Sequence, residues 1–558
     1  MGLAILLGLP TLGIGLVADD LLQRLVLLGE WPFGSGEGPV WDLFAFIPGS
    51  TTGVGRELEL GILPWWADPE VTASFFRPVT VATHVLDYAL WPDQFWLQHL
   101  HNLIWYAGSV GITVVCFRRF GLALPLVGLA GLMFALEDAH AIAMGWLANR
   151  NALICLVFGV GSMCLHQRWR TEGRWAFGIA SVVCFSLSLL AAEAGVGALA
   201  YLVSWQLFME EKTWGARARG LLPYLLVLLV WLLYYQHLGF GVRWSDMYVD
   251  PGQQPVRFLV ASVERLPLML AAQWFQFPSD VSILLGFWGR VGFAALAWAL
   301  CLLLLRWLWP LLRARRQARF WGMGMMLSLV PICAAFPMNR VLTFTGLGAF
   351  ALLALQLEPW LEGREHLTGF QRLLLFLHIP FSAVGLLIGP FLWFGGMDVL
   401  LPSRDLPEDV RPEETLVLLQ THELAGCSLS FNPVVEGLTD RPIPVAMLAS
   451  LLTDLRVERV DDHTLEIRAE GGWNRLPVER FTRSTQRPWR AGETVSMARY
   501  LVQIMEVTED GRPLRVRFRF DANLEDPTFR WFVYEGLRLV EWQPLPVGET
   551  QQLPSVAF

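Results

Sequence analysis

The sequence predicts an α-helical polytopic membrane protein closed by a C-terminal extracytoplasmic β-rich domain. Three observations carry that prediction. Of 558 residues, 54% are hydrophobic and only 16% charged, against roughly 25% charged in soluble domains. Several apolar runs are long enough to cross a hydrocarbon core of about 30 Å. Past Pro402 the helical runs give way to alternation of apolar and polar residues. The net charge of −8 carries no basic signature for nucleic acid. The seven cysteines (116, 155, 164, 184, 301, 333 and 427) are scattered, and six lie in or beside apolar runs, where Cys acts as a small hydrophobe. No CxxC or His/Cys cluster points to zinc. The 26 Trp suit a protein with many side chains at the membrane–water boundary.

The first apolar run, 1–17, lacks the basic start of a signal peptide. Leu16 also stands where a cut after Ala18 would want a small residue. It reads as an uncleaved first helix at the short limit, tilted or interfacial. Further spans are expected at 98–116, 121–136, 141–165, 176–192, 195–209, 220–238, 283–309, 321–337, 341–357 and 372–396, about 11 transmembrane helices in all. Arg118/Arg119, Arg168/Arg170/Arg174, Lys212/Arg217/Arg219, Arg313/Arg315/Arg316/Arg319 and Arg364/Arg372 then all fall on one side. The positive-inside rule makes that side cytoplasmic, with the N-terminus in and the C-terminus out.

The outward segments include a long first loop, 18–97, too long to be a mere connector. Its stretch "WPFGSGEGPVW" (31–41) reads as irregular backbone. "VRFLVASVERLPLMLAAQW" (256–274) reads as a helix lying along the outer interface. The membrane domain would cover 1–400, a Pro/acid linker 401–412, and the β-rich domain 413–558. In that domain Leu514, Val516, Phe518 and Phe520 alternate with arginines after a turn at Asp510-Gly511, the pattern of a β-hairpin. With one Cys, Cys427, it has no internal disulfide.

Polar groups at membrane segments are costly and mark function by default. Here they gather on the outward side: Asp19 and Asp20 at the end of the first run; Arg77, His84 and Asp87; His99, His101 and Asn102; Glu137, Asp138, His140, Asn149 and Arg150; Glu193; and Asn339 and Arg340. Adjacent acids repel unless a cation or proton shares their site. Arg150, deep in its span, must snorkel or pair with an acid. Glu193 between two apolar halves needs a partner or a proton. Residues from at least five segments could converge on one outward cavity.

In this order, these segments resemble the integral-membrane glycosyltransferases of the GT-C superfamily. The nearest likeness is to the lipid-linked-sugar O-mannosyltransferases that carry tetratricopeptide repeats, and to their bacterial relatives. The matching residues are Asp19-Asp20 closing the first helix, Arg77-Pro78, Asp87-Tyr88-Ala89, His101-Asn102, the set His140, Trp146 and Arg150, and Glu193, over roughly residues 10–210. "LLPWW", "FFRP" and "WLANRNAL" are also similar to segments of a group of bacterial membrane proteins. Two departures stand out. The family's Lys before the acid is replaced by Ala192, and no 34-residue helical repeat follows.

The resemblance implies a bacterial inner-membrane enzyme that moves a sugar from a polyprenyl-phosphate donor to an extracytoplasmic acceptor, with inversion. It implies Asp19 or Asp20 as base, and Arg150, Arg340 and His140 at the donor phosphate. Glu193, Glu137, Asp138, Arg77 and His101 would orient these groups. No metal ligand set is evident, although the acid pair could hold a divalent cation. The expected partners are the polyprenyl-phosphate-linked sugar, membrane lipids, and proteins docking through the β domain. The lost Lys keeps a second reading open, a catalytically inactive GT-C-like scaffold subunit of an envelope assembly. A transporter has little support, since no internal repeat is seen and the polar residues lie on one side.

Overall fold

A computed structural model describes residues 1–30, 42–47, 55–400, 405–407 and 409–556. The stretch 31–41, expected to be irregular, lies outside the described residues, as do 401–404 and 408 of the expected linker.

Among the described residues, six helices are long and apolar enough to cross a membrane: Phe95–Arg119, Leu147–Glu172, Trp214–His237, Pro255–Phe275, Phe287–Ala314 and Gly369–Met397. Leu124–Leu136 and Asp138–Gly145, bent by 46° at their junction, count as a seventh if taken as one span. Shorter apolar helices, Gly2–Gly13, Trp175–Ala191 and Thr343–Gln356, pack among them. Of the most apolar window of Trp214–His237 only 17% is buried, and Leu222, Leu225, Leu226, Leu229 and Leu233 are exposed along it. Water would penalise such a surface and hydrocarbon would not. The chain is a multi-pass membrane protein.

The expected continuous span 141–165 divides. Ala141–Gly145 is a short helix, Trp146 is extended, and Arg150–Glu172 is the long helix. A break inside an apolar region must satisfy the carbonyls it frees. Asn102 does this, its Nδ2 donating to Ala143 O at 3.0 Å and Met144 O at 2.7 Å.

The basic clusters meet at one end of the bundle. Arg119 donates to Gln167 Oε1 at 2.7 Å, Arg170 pairs with Glu210 at 2.6 Å, and Lys212 Nζ donates to Arg170 O at 2.7 Å. The sheets cap the other end. Pro255–Phe275, expected on the interface, is by length and composition a spanning helix. Its start is nevertheless tied to the sheet end, through Gln254 to Gln486 and Arg257 to Ser484. The turn that follows, Ser279–Leu284, shares a cavity wall with Pro477 and Arg480. The segment therefore leaves the sheet end and returns to it. Having both flanks at one end is what the expected helix along the interface requires.

Thirteen strands are described. β1 (Ala45–Ile47), β2 (Thr72–Ser74) and β3 (Gly241–Arg243) form a small antiparallel sheet from two of the loops expected to face outward. The C-terminal region follows with β4 (Thr415–Leu418), β5 (Val445–Met447), β6 (Leu455–Asp461), β7 (Thr464–Ala469), β8 (Thr494–Ser496), β9 (Tyr500–Val507), β10 (Pro513–Phe520), β11 (Phe529–Glu535), β12 (Arg538–Glu541) and β13 (Thr550–Leu553). One sheet is antiparallel in the order β13-β6-β7-β10-β9-β8. The expected hairpin is β9–β10, with Gly511 at φ 75° in its turn and Val516, Phe518 and Phe520 buried. The second sheet runs β12-β11-β4-β5. Its β11, β4 and β5 are parallel, and the helix Ala425–Val435 crosses from β4 to β5. That parallel unit is additional to the expected hairpins. Its strands are too short to show a period.

Part of the long first loop packs into this C-terminal core. Trp65 and Trp66 are each 1% exposed within it. Trp65 Nε1 donates to Leu448 O at 3.0 Å, and its ring meets Trp473, Trp489 and Phe518. Gly61 makes the approach possible. It sits at φ 68°, and a Cβ there would lie 1.6 Å from Val445 O.

Candidate functional site

Asp19 and Asp20 open the helix Asp19–Leu28, behind a turn in which Ala18 holds φ 47°. The two acids serve different ends. Asp20 is 2% exposed; its Oδ1 accepts from Ala148 N at 2.7 Å and its Oδ2 from Val17 N at 3.3 Å. It fastens the first helix to the break ahead of Arg150. Burial pushes its carboxyl up to about 8, against those two N–H donors. Asp19 is half-buried, with no hydrogen bond or ion pair to its carboxylate among the described residues. Burial pushes its carboxyl up to about 6, opposed by Arg340 and then Arg77.

Arg340 lies in the turn Asn339–Val341, its guanidinium 5.0 Å from the centre of the Trp146 ring. Among the described residues it has no carboxylate partner and no hydrogen bond. Asp280 is within electrostatic reach, accepting from Asn339 N at 3.2 Å. Burial raises the Asp280 carboxyl to about 6, opposed by that N–H and by Arg340.

Tyr248 is within electrostatic reach of Asp19, Arg340, Arg77 and Glu193 together. Its ring packs on Phe75, Phe336 and, from the C-terminal region, Phe481. The helix Ala425–Val435 contacts Asp19–Leu28 and brings Cys427 into reach of Asp19. These side chains gather where the bundle meets the C-terminal region, a junction called the cleft below; of the charged groups named here, Asp19 and Arg340 are the two with no hydrogen-bond or ion-pair partner among the described residues.

Most of the other expected charged residues are paired with one another, although Arg150 Nε, Glu137 Oε2, Asp138 Oδ1 and His140 Nδ1 keep no hydrogen-bond partner among the described residues. Arg77 donates from Nε and Nη2 to Glu193 Oε2 at 3.0 and 2.8 Å, and lies over the Phe75 and Phe44 rings. Tyr235 donates to Glu193 Oε1 at 3.3 Å. Arg150 is fully buried and pairs with Asp87 at 2.6 Å. It also donates to Gln98 O at 3.0 Å. His101 Nδ1 is 2.6 Å from Asp87 Oδ1, and Trp105 Nε1 donates to His101 Nε2 at 3.0 Å. His84 is buried beside Arg150 and His101, and its ring is held neutral by burial first and then by those charges. Glu137 accepts from Gln273 at 3.1 Å and stands 3.6 Å from His378 Nδ1. Asp138 is within electrostatic reach of Asp280.

No protein-family model matches the sequence, and no curated protein sequence does. Among solved structures, the chain is similar to ArnT from Cupriavidus metallidurans bound to undecaprenyl phosphate. The identity is 13% and the TM-score 0.38, over 80% of this chain and 88% of that one. It is also similar to the Archaeoglobus fulgidus oligosaccharyltransferase tethered with an acceptor peptide. There the identity is 14% and the TM-score 0.36, over 79% of this chain and 64% of that one. This chain thus spans less than two thirds of the oligosaccharyltransferase's length. Likenesses of this degree assign no role to any side chain.

Three expectations change. Arg150 does not reach the cleft, because a guanidinium in an apolar interior needs a counter-charge and Asp87 supplies it. His140 does not reach it either; it is 1% exposed between the Phe134 and Tyr106 rings. Glu193 orients Arg77 instead of Arg150. Among the described residues no group of three or more His, Cys, Asp or Glu is placed to hold a metal ion. A cation at the acid pair would meet only Asp19, since both Asp20 oxygens face backbone N–H groups. Tyr248 and Asp280 were not legible as cleft residues, since a tyrosine and an aspartate in long loops carry no positional signal.

Proposed function

We propose that this chain is a GT-C-like glycosyltransferase of the bacterial inner membrane. It moves a sugar from a polyprenyl-phosphate donor to an extracytoplasmic acceptor, with the N-terminus cytoplasmic and domain 413–558 outside. The observation that carries this reading is the pairing of a free carboxylate, Asp19, with a free guanidinium, Arg340, in a half-buried cleft. An unpaired charge is costly to bury, and a ligand is the usual reason to keep one. The acceptor hydroxyl attacks the anomeric carbon, and Asp19 takes its proton as general base. The bond from that carbon to the phosphate oxygen breaks on the opposite face, so configuration inverts. Arg340, whose planar fork matches phosphate oxygens, stabilises the departing lipid phosphate. Tyr248 and the Arg77–Glu193 pair shape the space between them.

The test is release of polyprenyl phosphate from labelled polyprenyl-phosphate hexoses by the protein in liposomes. Asp19→Asn should lower release by about 10²–10⁴-fold, the usual worth of a positioned base. Unchanged release at equal protein would end the assignment. The scaffold reading draws on the capture of Arg150 by Asp87, which removes one expected phosphate ligand. It predicts no release from any donor by the wild-type chain, together with stoichiometric copurifying proteins.

A further inference from the structure

A second polar site is lined in part by Val249 and by Phe336, the ring on which Tyr248 packs. It is a cavity of about 260 Å³ between the helix Pro255–Phe275, the turn Ser279–Leu284 and the loop around Arg480. Its charged lining is Arg257, Arg265, Arg290 and Arg480 against Asp246 and Glu264, an excess of two positive charges. Three of the arginines are held in place. Arg257 pairs with Asp246 at 2.5 Å. Arg265 donates to the carbonyls of Cys333 at 3.0 Å, Ala334 at 3.1 Å and Asp246 at 3.3 Å. Arg480 donates to Asn474 O at 2.7 Å and Arg475 O at 2.9 Å. The fourth, Arg290, has only Glu264, at 3.6 Å. Its terminal nitrogens have no hydrogen-bond partner among the described residues.

The surface beside the cavity is apolar. Val260 lines the cavity and is 68% exposed, in a row with Val256, Leu259 and Val263. Trp288, two residues from Arg290, is 80% exposed. Such a stripe on a membrane protein faces acyl chains, and an exposed Trp marks the level of the headgroups. A groove of about 700 Å³ shares Arg257 and Val260 with the cavity and adds Trp244, Gln253, Gln254 and Gln486, a lining suited to hydroxyl groups.

We propose that this cavity binds the headgroup of an anionic phospholipid. The phosphate sits among the arginines, the acyl chains lie on the Val256–Val263 stripe, and a hydroxylated headgroup enters the groove. Guanidinium forks match phosphate oxygens two at a time. Arg265 and Arg480, already fixed by carbonyls, and Arg257, fixed by the Asp246 carboxylate, lose little freedom on binding. The site stands independently of the transfer reaction, because none of Asp19, Arg340, Tyr248, Arg77 or Glu193 lines it.

The test uses the full chain in a neutral maltoside detergent, followed by native mass spectrometry. Dioctanoyl phosphatidylglycerol, dioctanoyl phosphatidylcholine and inorganic phosphate are the separate probes. One phosphatidylglycerol per chain should be retained about tenfold more tightly than phosphatidylcholine. Arg290→Glu should weaken that binding about tenfold, the worth of one charge-assisted hydrogen bond. Glu264→Gln, which removes the competing carboxylate, should tighten it. Merely structural damage would weaken binding in both variants, so opposite directions separate the two. Equal retention of the two lipids, or unaltered binding in the variants, overturns the proposal. Displacement of phosphatidylglycerol by inorganic phosphate at the same concentration would mark a free-phosphate site and overturn the lipid assignment. If Arg290→Glu does not fold, Glu264→Gln decides alone, and unchanged or weaker binding counts against the site.

Discussion

Two charged centres of this molecule are built from the same residue types and end in opposite states. Around Arg150, Asp87 and a backbone carbonyl take the two terminal nitrogens while Nε stays unpartnered, and both members of the Arg150–Asp87 pair are buried from solvent. Around Arg340, the nearest acids, Asp19 and Asp280, remain unpaired with it, and the guanidinium has only an aromatic face. Burying a charge costs several kcal/mol unless a partner returns it. The Arg150 centre meets that cost within the fold, so it is architecture. The Arg340 centre is half-buried and its guanidinium has no ion-pair partner among the described residues, which is the feature the proposed anion site rests on. The contrast teaches that depth in the membrane segment is a poor guide to catalysis, and that pairing is a better one.

The largest effect should come from breaking the closed centre. Arg150→Ala strands Asp87 without its cation and should cost about 3–5 kcal/mol, read as lost folded protein in thermal unfolding and in expression. If Arg150→Ala kept wild-type stability, the division between the centres would collapse. Next, Arg340→Gln should leave unfolding almost unchanged and lower lipid-phosphate release by about 10²–10³-fold. A change in stability with intact turnover would reverse the roles of the two arginines.

The pH profile is a finer probe. As the proposed base, Asp19 would act only as carboxylate, and its carboxyl is raised to about 6. kcat/KM should therefore level off at higher pH and fall with unit slope below about 6, a limb that Asp19→Asn should abolish. The same shift acts on stability in the other direction. Between about 4 and about 6 the folded state holds this proton more tightly than the unfolded chain, so the group's contribution falls as pH rises through that window. The smallest effect belongs to Asp20→Asn, which keeps an acceptor for one backbone N–H. About 1–2 kcal/mol should be lost in unfolding, with transfer largely preserved. Loss of transfer in stable protein would move the base back to Asp20.

Much of the architecture was legible because it depends on averages along the chain. Apolar runs exposed the helices, basic clusters marked one end of the bundle, and a period of two with Asp510-Gly511 located the β9–β10 hairpin. The polar inventory was legible as well, because charges in apolar surroundings stand out individually. What the sequence by itself determined was therefore which segments are helical and apolar, that alternating strands follow, and which charged residues need an explanation. Only the tertiary structure decided how those charges are used. It spends Arg150 on Asp87, ties Asp20 to Ala148, and leaves Asp19 and Arg340 free. It also carries Trp65 into a core built some 400 residues later, with Leu448 383 positions away. The physical reason is common to all of these. Hydrophobic burial follows composition and period, which are local properties, whereas a hydrogen bond or an ion pair needs two specific atoms within about 3 Å. Residues as distant as 87 and 150 meet only when the whole chain has folded.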